Sequence, residues 1–353
     1  MEQIQVSDVT NQIDTRALWE EVFSEDSQQF VDYYYQNKIN RNKVYTIGTP
    51  AFCMLHLTPY TAAMRIAKTN SFDLIPTYYI VGVATKEGNR HHGYMSALLV
   101  KAMENMYQES IGFTFLMPAN PKIYEPFHFS YIYEREQYQW NCNYKKELWE
   151  LRTMEESDIE KVTVFANVTL QKQMDFYLFR TPEYYATLKK ELESQNGEII
   201  LLYVKEQLQG IFCVAKEEDV IVQEAVIGNE FKEYLSIENK EYSFPISLLE
   251  KKKPIIMARI ICLEIFLSGL RSTGNMTCTL RVTDELIPAN NGLFLWNVSE
   301  NDSSVIKCSE NDVIGPIYDV SVMDLMLFAF GKQKIKGFET ITVRENGIIN
   351  EIV

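Results

Sequence analysis

Two short segments carry residue types and spacings that suit an anionic ligand. Ile80-Val81-Gly82-Val83-Ala84 is a β-branched run with a glycine at its centre. Arg90-His91-His92-Gly93-Tyr94-Met95 is a basic, glycine-bearing turn, and after it Met95, Leu98, Leu99, Ala102, Met103 and Met106 recur at the spacing of one helix face. A strand, such a loop and a helix N-terminus in that order gather amide N–H groups and the positive end of a helix dipole around one point. The chemistry this fits is a pyrophosphate cradle, with the rest of the chain arranged about it. A buried strand with a bulge glycine is the alternative for Val81, Gly82 and Val83, and a solvated turn the alternative for the histidine pair. A metal is not expected, because no carboxylate or cysteine stands at ligand spacing from His91 and His92.

The composition narrows what surrounds these segments. A chain of 353 residues exceeds one ordinary core, so two or three domains are expected. A hydrophobic content of 46% and a formal charge of −14 describe a globular, acidic protein, which argues against nucleic acid as partner and suits a cationic or amine-bearing small molecule. The six cysteines are scattered without paired spacing, as in a reducing compartment. The polar, acidic N-terminus does not read as a signal peptide, and the longest apolar run is broken by Arg259 and Glu264, so no membrane span is expected. A cytoplasmic protein is the expectation.

The positioning elements follow from periodicity. Residues 13–39 read as two helices, with Leu18, Trp19, Val22 and Phe23 and then Phe30, Val31 and Tyr34 inward, Ser24 or Asp26 capping the second. Strands are expected at 44–47, 52–57 and 62–68, with turns at Gly48-Pro50 and Thr58-Pro59, then the central strand, loop and helix. Further strands follow at 113–117 and 131–140, completing an α+β unit of about 140 residues. From Leu148 the order of helices then strands restarts, with a cap at Ser157-Asp158, a helix from Thr181-Pro182 to Asn196-Gly197, and strands at 198–204, 208–215 and 220–227. This second unit has no counterpart of the Gly93 loop. Lys251-Lys252-Lys253-Pro254 reads as a boundary; beyond it come a helix at 262–267, strands at 276–282 and 292–298, and a helix at 320–328. The tail from Ile341 to Val353 stays apolar to its end, and since free ends normally fray, it is expected to be docked.

The segment around Gly93, directly after Val81-Gly82-Val83-Ala84-Thr85, resembles the acetyl-CoA loop of the GNAT N-acetyltransferases, Gln/Arg-x-x-Gly-x-Gly/Ala, with Met95 in place of the small last residue. The order IVGVAT, R, GYMSALL, FLMP and IYEPFHF resembles the Eis-like (enhanced intracellular survival) branch, and IIMARIICLEIFL, TLRVTDELIPANNGLFLW, DVSVMDLMLFAFG and INEIV match its later parts. The resemblance implies tandem GNAT folds, each a mixed central sheet with flanking helices, and a C-terminal sterol-carrier-like α/β domain. It agrees with a division into 1–145 (acetyl-CoA-binding), 146–254 (GNAT-like without the loop) and 255–353 (sterol-carrier-like, with docked tail).

It also implies roles. Val81, Gly82 and Val83 would offer amides to the pantetheine and the thioester oxygen, and Arg90, His91, His92, Gly93, Tyr94 and Met95 would hold the pyrophosphate. Tyr124 of IYEPFHF would protonate the departing thiolate, for which a phenol is suited. The α-carboxylate of Val353 would accept the amine proton; a water chain, Glu125 and Glu351 are the alternatives. Asp26, Tyr33 and Tyr34, with Tyr35, Trp19 and Phe23 near them, are candidates for an acidic, aromatic wall around a cationic acceptor. The expected activity is acetyl-CoA-dependent N-acetylation of a primary amine by direct transfer in a ternary complex, by a homo-oligomer. The alternative is a non-catalytic lipid or acyl-CoA carrier or sensor.

Overall fold

The computed structural model describes residues 3–7, 14–67, 69–141, 143–216, 220–235 and 244–351. The first unit runs β1 (Ile4–Ser7), α1 (Arg16–Val22), α2 (Gln28–Tyr33), β2 (Lys43–Ile47), β3 (Cys53–Arg65), β4 (Phe72–Thr85), α3 (Tyr94–Gln108), β5 (Phe113–Leu116) and β6 (Ser130–Trp140). Helix α2 continues through a π-helical turn, Tyr34–Lys38, and a 3-10 turn, Ile39–Arg41. Its N-cap is Ser27, whose hydroxyl accepts from the Phe30 amide, rather than Ser24 or Asp26. Then come β7 (Glu150–Thr153), α4 (Ile159–Gln173), β8 (Phe176–Leu178), α5 (Pro182–Ser194), β9 (Glu198–Val204), β10 (Gln207–Lys216) and β11 (Val220–Ile227). The last part holds β12 (Ile246–Ile260), α6 (Leu263–Ser268), β13 (Met276–Thr283), β14 (Gly292–Val298), β15 (Ser303–Cys308), β16 (Ile317–Ser321), α7 (Val322–Ala329) and β17 (Gly347–Ile348).

One mixed sheet of 13 strands runs β1-β2-β3-β4-β5-β12-β6-β11-β10-β9-β7, with β8 on the far part of β3 and β17 on β8; β15-β14-β13-β16 form a separate sheet of four. The architecture is α+β. Helix α3 lies over the β2–β4 side, and Leu98, Leu99, Ala102, Met103 and Met106 are all within 1% of complete burial. Burial of each large side chain on this face contributes on the order of 2 kcal/mol.

Three sequence expectations change. Thr58-Pro59 is not a turn: β3 is one strand, paired through Thr58↔Tyr79 and Pro59↔Tyr78 to β4. Its other edge meets β2 only as far as Leu57 and β8 only from Ala62, so Pro59, which has no N–H, stands in the gap between two partners. Lys251–Pro254 is not a linker either. These residues lie inside β12, which is antiparallel both to β5 (Met257↔Leu116) and to β6 (Ala258↔Ser130) and so fills the slot between two strands more than a hundred residues earlier. Finally, β1, β7, β8, β15 and β16 are strands that the periodicity did not reveal.

Arg259 pins β12 where it crosses. It is fully buried, its Nη2 donates to both carboxylate oxygens of Asp284 at 2.6 and 2.8 Å, and its Nη1 donates to the Phe127 carbonyl at 2.7 Å. Asn290 donates to the same carboxylate at 2.8 Å. Removing one member leaves the other charge buried and unpaired. Asp284→Ala is therefore expected to lower the unfolding free energy by about 3–5 kcal/mol, read from urea denaturation; a change below about 1 kcal/mol refutes the pinning role.

Candidate active site

The site starts where β4 parts from β5. The two strands pair only at Tyr78↔Thr114, Tyr79↔Phe115 and Ile80↔Leu116, where β5 ends. From Val81 onward β4 pairs with β3 alone among the described strands, which leaves the edge around Val81 and Val83 open to a ligand's hydrogen bonds. Gly82 sits at the register shift of the β3–β4 pair, between Met54 and His56, with φ of +60°. A Cβ there would lie 2.6 Å from the Trp19 ring and 3.1 Å from His56 Nδ1, so the bulge accepts only glycine without displacement. His56 is buried behind it, Nδ1 2.8 Å from the Tyr34 hydroxyl and Nε2 3.2 Å from Thr15 Oγ1. Burial pushes its pKa down to about 3, so the ring backing the bulge is neutral at physiological pH.

Past the strand, Arg90 Nε donates to the Thr85 carbonyl at 3.1 Å and shapes the turn. His91 and Gly93 both take positive φ, 65° and 80°, and Gly93 is the N-cap of α3. No side chain caps this helix, Arg90, His91, His92 and Gly93 are exposed, and a Cβ at Gly93 would meet nothing within 4 Å. The first α3 amides are therefore open to an anion. Tyr94 packs edge-on against Phe52, and Met95 packs against the buried cluster beneath α3. Met95 thus turns its bulk inward, and only its amide need face the loop.

Tyr124 lies between two 3-10 turns, Pro121–Ile123 and Glu125–Phe127, with its carbonyl accepting from the Phe127 and Phe129 amides at 2.9 and 3.3 Å. Its side chain is 8% exposed and sits edge-on to Phe129. Burial pushes the phenol up to about 12. Tyr79 of β4 is fully buried, and its pKa is raised by burial first and then by the charges of Glu351, Glu191 and Tyr124.

The tail is held from several sides. Ile348 and Ile349 are buried, and Asn350 accepts from the Tyr133 hydroxyl at 3.0 Å and donates to Glu224 at 3.2 Å. Glu351 accepts from the Tyr60 hydroxyl at 2.6 Å and from Lys38 Nζ at 3.4 Å. Lys38, 3% exposed, also reaches Glu191 on α5 at 2.8 Å. Burial alone would lower the Lys38 pKa, but Glu191 and Glu351 together outweigh it and raise it. A cavity of about 330 Å³ opens beside this cluster, lined by Lys38, Tyr60, Thr181, Tyr184, Glu191 and Glu351 among others. Val353 lies outside the described residues.

The aromatic wall expected on α2 is placed differently. Tyr34 is completely buried, with Asn42 Nδ2 donating to its hydroxyl at 2.9 Å opposite His56, and it packs on Trp19 in the core. Tyr33 is 5% exposed and donates to Glu191 and to the Thr187 carbonyl, standing behind the cavity instead of lining it. Asp26 is half-buried; desolvation raises its pKa, against the hydrogen bond it accepts from the Trp19 indole at 2.8 Å. Sequence reasoning missed Lys38, Tyr60 and Glu191. Only Lys38 left a trace: it comes four residues after Tyr34, on the buried face of its helix. Among the described residues no cluster of His, Cys, Asp and Glu suited to a metal is present, and no helix is long and apolar enough to cross a membrane.

Residues 8–132 match the acetyltransferase (GNAT) domain family, and with this domain the chain is an enzyme, an acyltransferase of the GNAT N-acetyltransferase type. Similar solved structures include a probable N-acyltransferase from Enterococcus faecalis V583, 14% identical with a TM-score of 0.75 over 97% of this chain and 94% of that one. A GCN5-related N-acetyltransferase from Anabaena variabilis is 13% identical, with a TM-score of 0.71 over 97% and 94% of the two chains. Eis1 from Mycobacterium abscessus is 10% identical, with a TM-score of 0.66 over 97% and 93%. At these identities the likeness is one of fold. No curated protein matches the chain.

The geometry makes two variants informative. Gly82→Ala forces a β-carbon against Trp19 at a left-handed φ; it is expected to destabilise the chain by about 1–3 kcal/mol and lower acetyl-transfer kcat/KM at least tenfold. Wild-type turnover in a folded Gly82→Ala variant refutes the bulge's role. Lys38→Met leaves Glu191 and Glu351 buried without their cation, so the tail should become cleavable by carboxypeptidase under conditions where the wild-type tail resists; equal resistance overturns the clamp.

Proposed function

We propose that the chain transfers an acetyl group from acetyl-CoA to a primary amine of a small cationic or amine-bearing substrate, directly, in a ternary complex. The carrying observation is the parted β4 edge at Gly82, leading straight into an uncapped helix N-terminus. Acetyl-CoA supplies the activated acyl group as a thioester. The Arg90–Met95 loop and the first amides of α3 would hold its pyrophosphate, and the free Gly93 surface, where even a Cβ would meet no neighbour, leaves room for it. Val81–Val83 amides would bind the carbonyl oxygen as negative charge grows there.

Proton traffic is assigned to two groups. As the amine nitrogen bonds to the carbonyl carbon and the carbon–sulfur bond breaks, Tyr124 gives its phenolic proton to the sulfur. The α-carboxylate of Val353 takes the proton released by the amine. Support for Val353 comes from the docking of Asn350 on Tyr133 and of Glu351 on Tyr60 and Lys38, two and three residues before it in the sequence. The acceptor is assigned to the cavity at Glu191 and Glu351. Its charged lining is Glu183, Glu191 and Glu351 against Lys38 and Arg41, one negative charge in excess, which favours a cation.

For the whole molecule we infer two GNAT-like units, 1–145 and 146–254, and a sterol-carrier-like unit, 255–353, joined without a linker through the continuous strand β12, in a cytoplasmic homo-oligomer. The similar order of two helices and a three-strand meander, α1-α2-β2-β3-β4 and α4-β8-α5-β9-β10-β11, in which β8 leaves to pair with β3, supports the tandem reading. Sedimentation tests the oligomer; a monomer alone removes it.

Release of CoA in the presence of a panel of di- and polyamines tests the activity, and background turnover throughout would sink it. Tyr124→Phe is expected to lower kcat about 10²-fold or more with acetyl-CoA affinity unchanged. The phenol is the proton-bearing form below its pKa. With that pKa near 12, the wild-type profile should show no alkaline loss from Tyr124 below about pH 11. A limb near pH 10 that vanishes in Tyr124→Phe would contradict the buried acid.

A further inference from the structure

The second unit repeats the step that makes the first cleft. In each, two helices precede a three-strand meander, and the third strand parts from its next neighbour in the sheet: β4 from β5, and β11 from β6. The second parting is wider, since β11 and β6 pair only at Ile221↔Gln139. The opening holds a cavity of about 770 Å³ between β6, β11, β12 and the tail. Where the first unit continues into the Gly93 loop and α3, the second continues into a 3-10 segment, Asn229–Leu235, which brings Lys232 and Leu235 to the lining. The opening therefore has charge from side chains in place of a helix N-terminus.

The charges of this lining do not cancel locally. Lys252 pairs with Glu136 at 3.3 Å and Lys332 with Glu134 at 3.4 Å, at the rim. Among the described residues Arg135 has no carboxylate partner, and its Nη1 is buried without any hydrogen bond. Burial depresses the Arg135 pKa and outweighs the opposing influence of Tyr133, so the desolvated guanidinium is not fully compensated among those residues. Next to it the wall is apolar and aromatic, with Tyr133, Tyr138, Met174, Leu248 and Ile348. A single unpaired guanidinium edge beside an apolar wall matches a carboxylate carried on an apolar body. Glu250 and Glu345 in the same lining disfavour a dianion such as a phosphate monoester.

We propose that the β6–β11 cleft is a second ligand site, which binds a small carboxylate with an apolar body through Arg135. The site is separate from the acetyl-transfer cleft, and its test does not depend on activity. Calorimetric titration of the full chain with decanoate is expected to show one site, weakened at least tenfold in Arg135→Met and at least tenfold in Ala225→Phe, which puts a ring into the cavity from β11. Decanol, equal in chain but uncharged, should bind at least tenfold more weakly than decanoate. Unchanged decanoate affinity in Arg135→Met, or equal binding of decanol, overturns the proposal. If Arg135→Met fails to fold, Ala225→Phe with wild-type thermal stability decides, and unweakened decanoate binding there overturns it as well.

Discussion

The structure depends on one departure from sheet regularity, the parting of β4 from β5 after Ile80. Interior strands pair their backbone groups on both sides, because unpaired buried N–H and C=O groups are costly. Here the cost is met by making the opening an accessible cleft and by keeping β5 itself fully enclosed. β12 arrives from the far side of the second unit to take the other edge of β5, so that four-residue strand is never a free edge. Behind the opening, Gly82 turns the strand with a bulge, and the bulge is shaped by what it lies against. Trp19 and His56 leave no space for a side chain, and His56 is fixed in turn by Tyr34 and Thr15. The first two helices thus matter to the cleft through the back of the strand.

The tail obeys a similar logic with charge in place of shape. A buried ion pair is weak evidence for net stability, since desolvation offsets much of the attraction. What Lys38 does is restrict geometry. Its ammonium is buried between a carboxylate on α5 and a carboxylate near the chain end, and neither carboxylate forms a salt bridge with another cation among the described residues. Moving Glu351 away would strand charge in the interior, so residues 346–351 have one low-energy path. That path passes one cavity at Asn346–Asn350 and enters the other at Glu351.

Much of the first unit was legible because its signals are local. The α3 face, the Gly93 turn and the Gly82 bulge each depend on a few neighbouring residues, and the inward turn of Met95 reconciles a large residue with a loop that needs only its amide. Long-range pairing was not legible. Pro59 and Pro254 both read as breaks, yet Pro59 falls between two partners of β3 and Pro254 falls beside a register shift of β12 against β6. Tyr34 shows the same limit for side chains. As one of three consecutive tyrosines it looks no different from a pocket wall, and its hydroxyl is held inside by Asn42 and by His56, the latter on a strand whose approach the helix pattern does not reveal.

The two helix-and-meander segments also show why a repeated order of elements need not repeat a site. Parting the third strand from its neighbour makes a cleft in both, but a cleft acquires its preference from the segment that leaves that strand. After β4 the chain enters a left-handed glycine and an uncapped helix, which presents backbone amides, a donor set that suits a pyrophosphate and tolerates no substitution of the loop's conformation. After β11 it enters a short 3-10 segment, and the donors are side chains set among carboxylates. Backbone donors bring no counter-charge with them, whereas side-chain cations of an acidic chain are mostly neutralised by neighbours. Among the described residues Arg135 is the cation of that wall with a nitrogen buried and without a hydrogen bond, and a guanidinium flanked by glutamates disfavours multiply charged anions. The second cleft can therefore keep the shape of the first while rejecting its ligand.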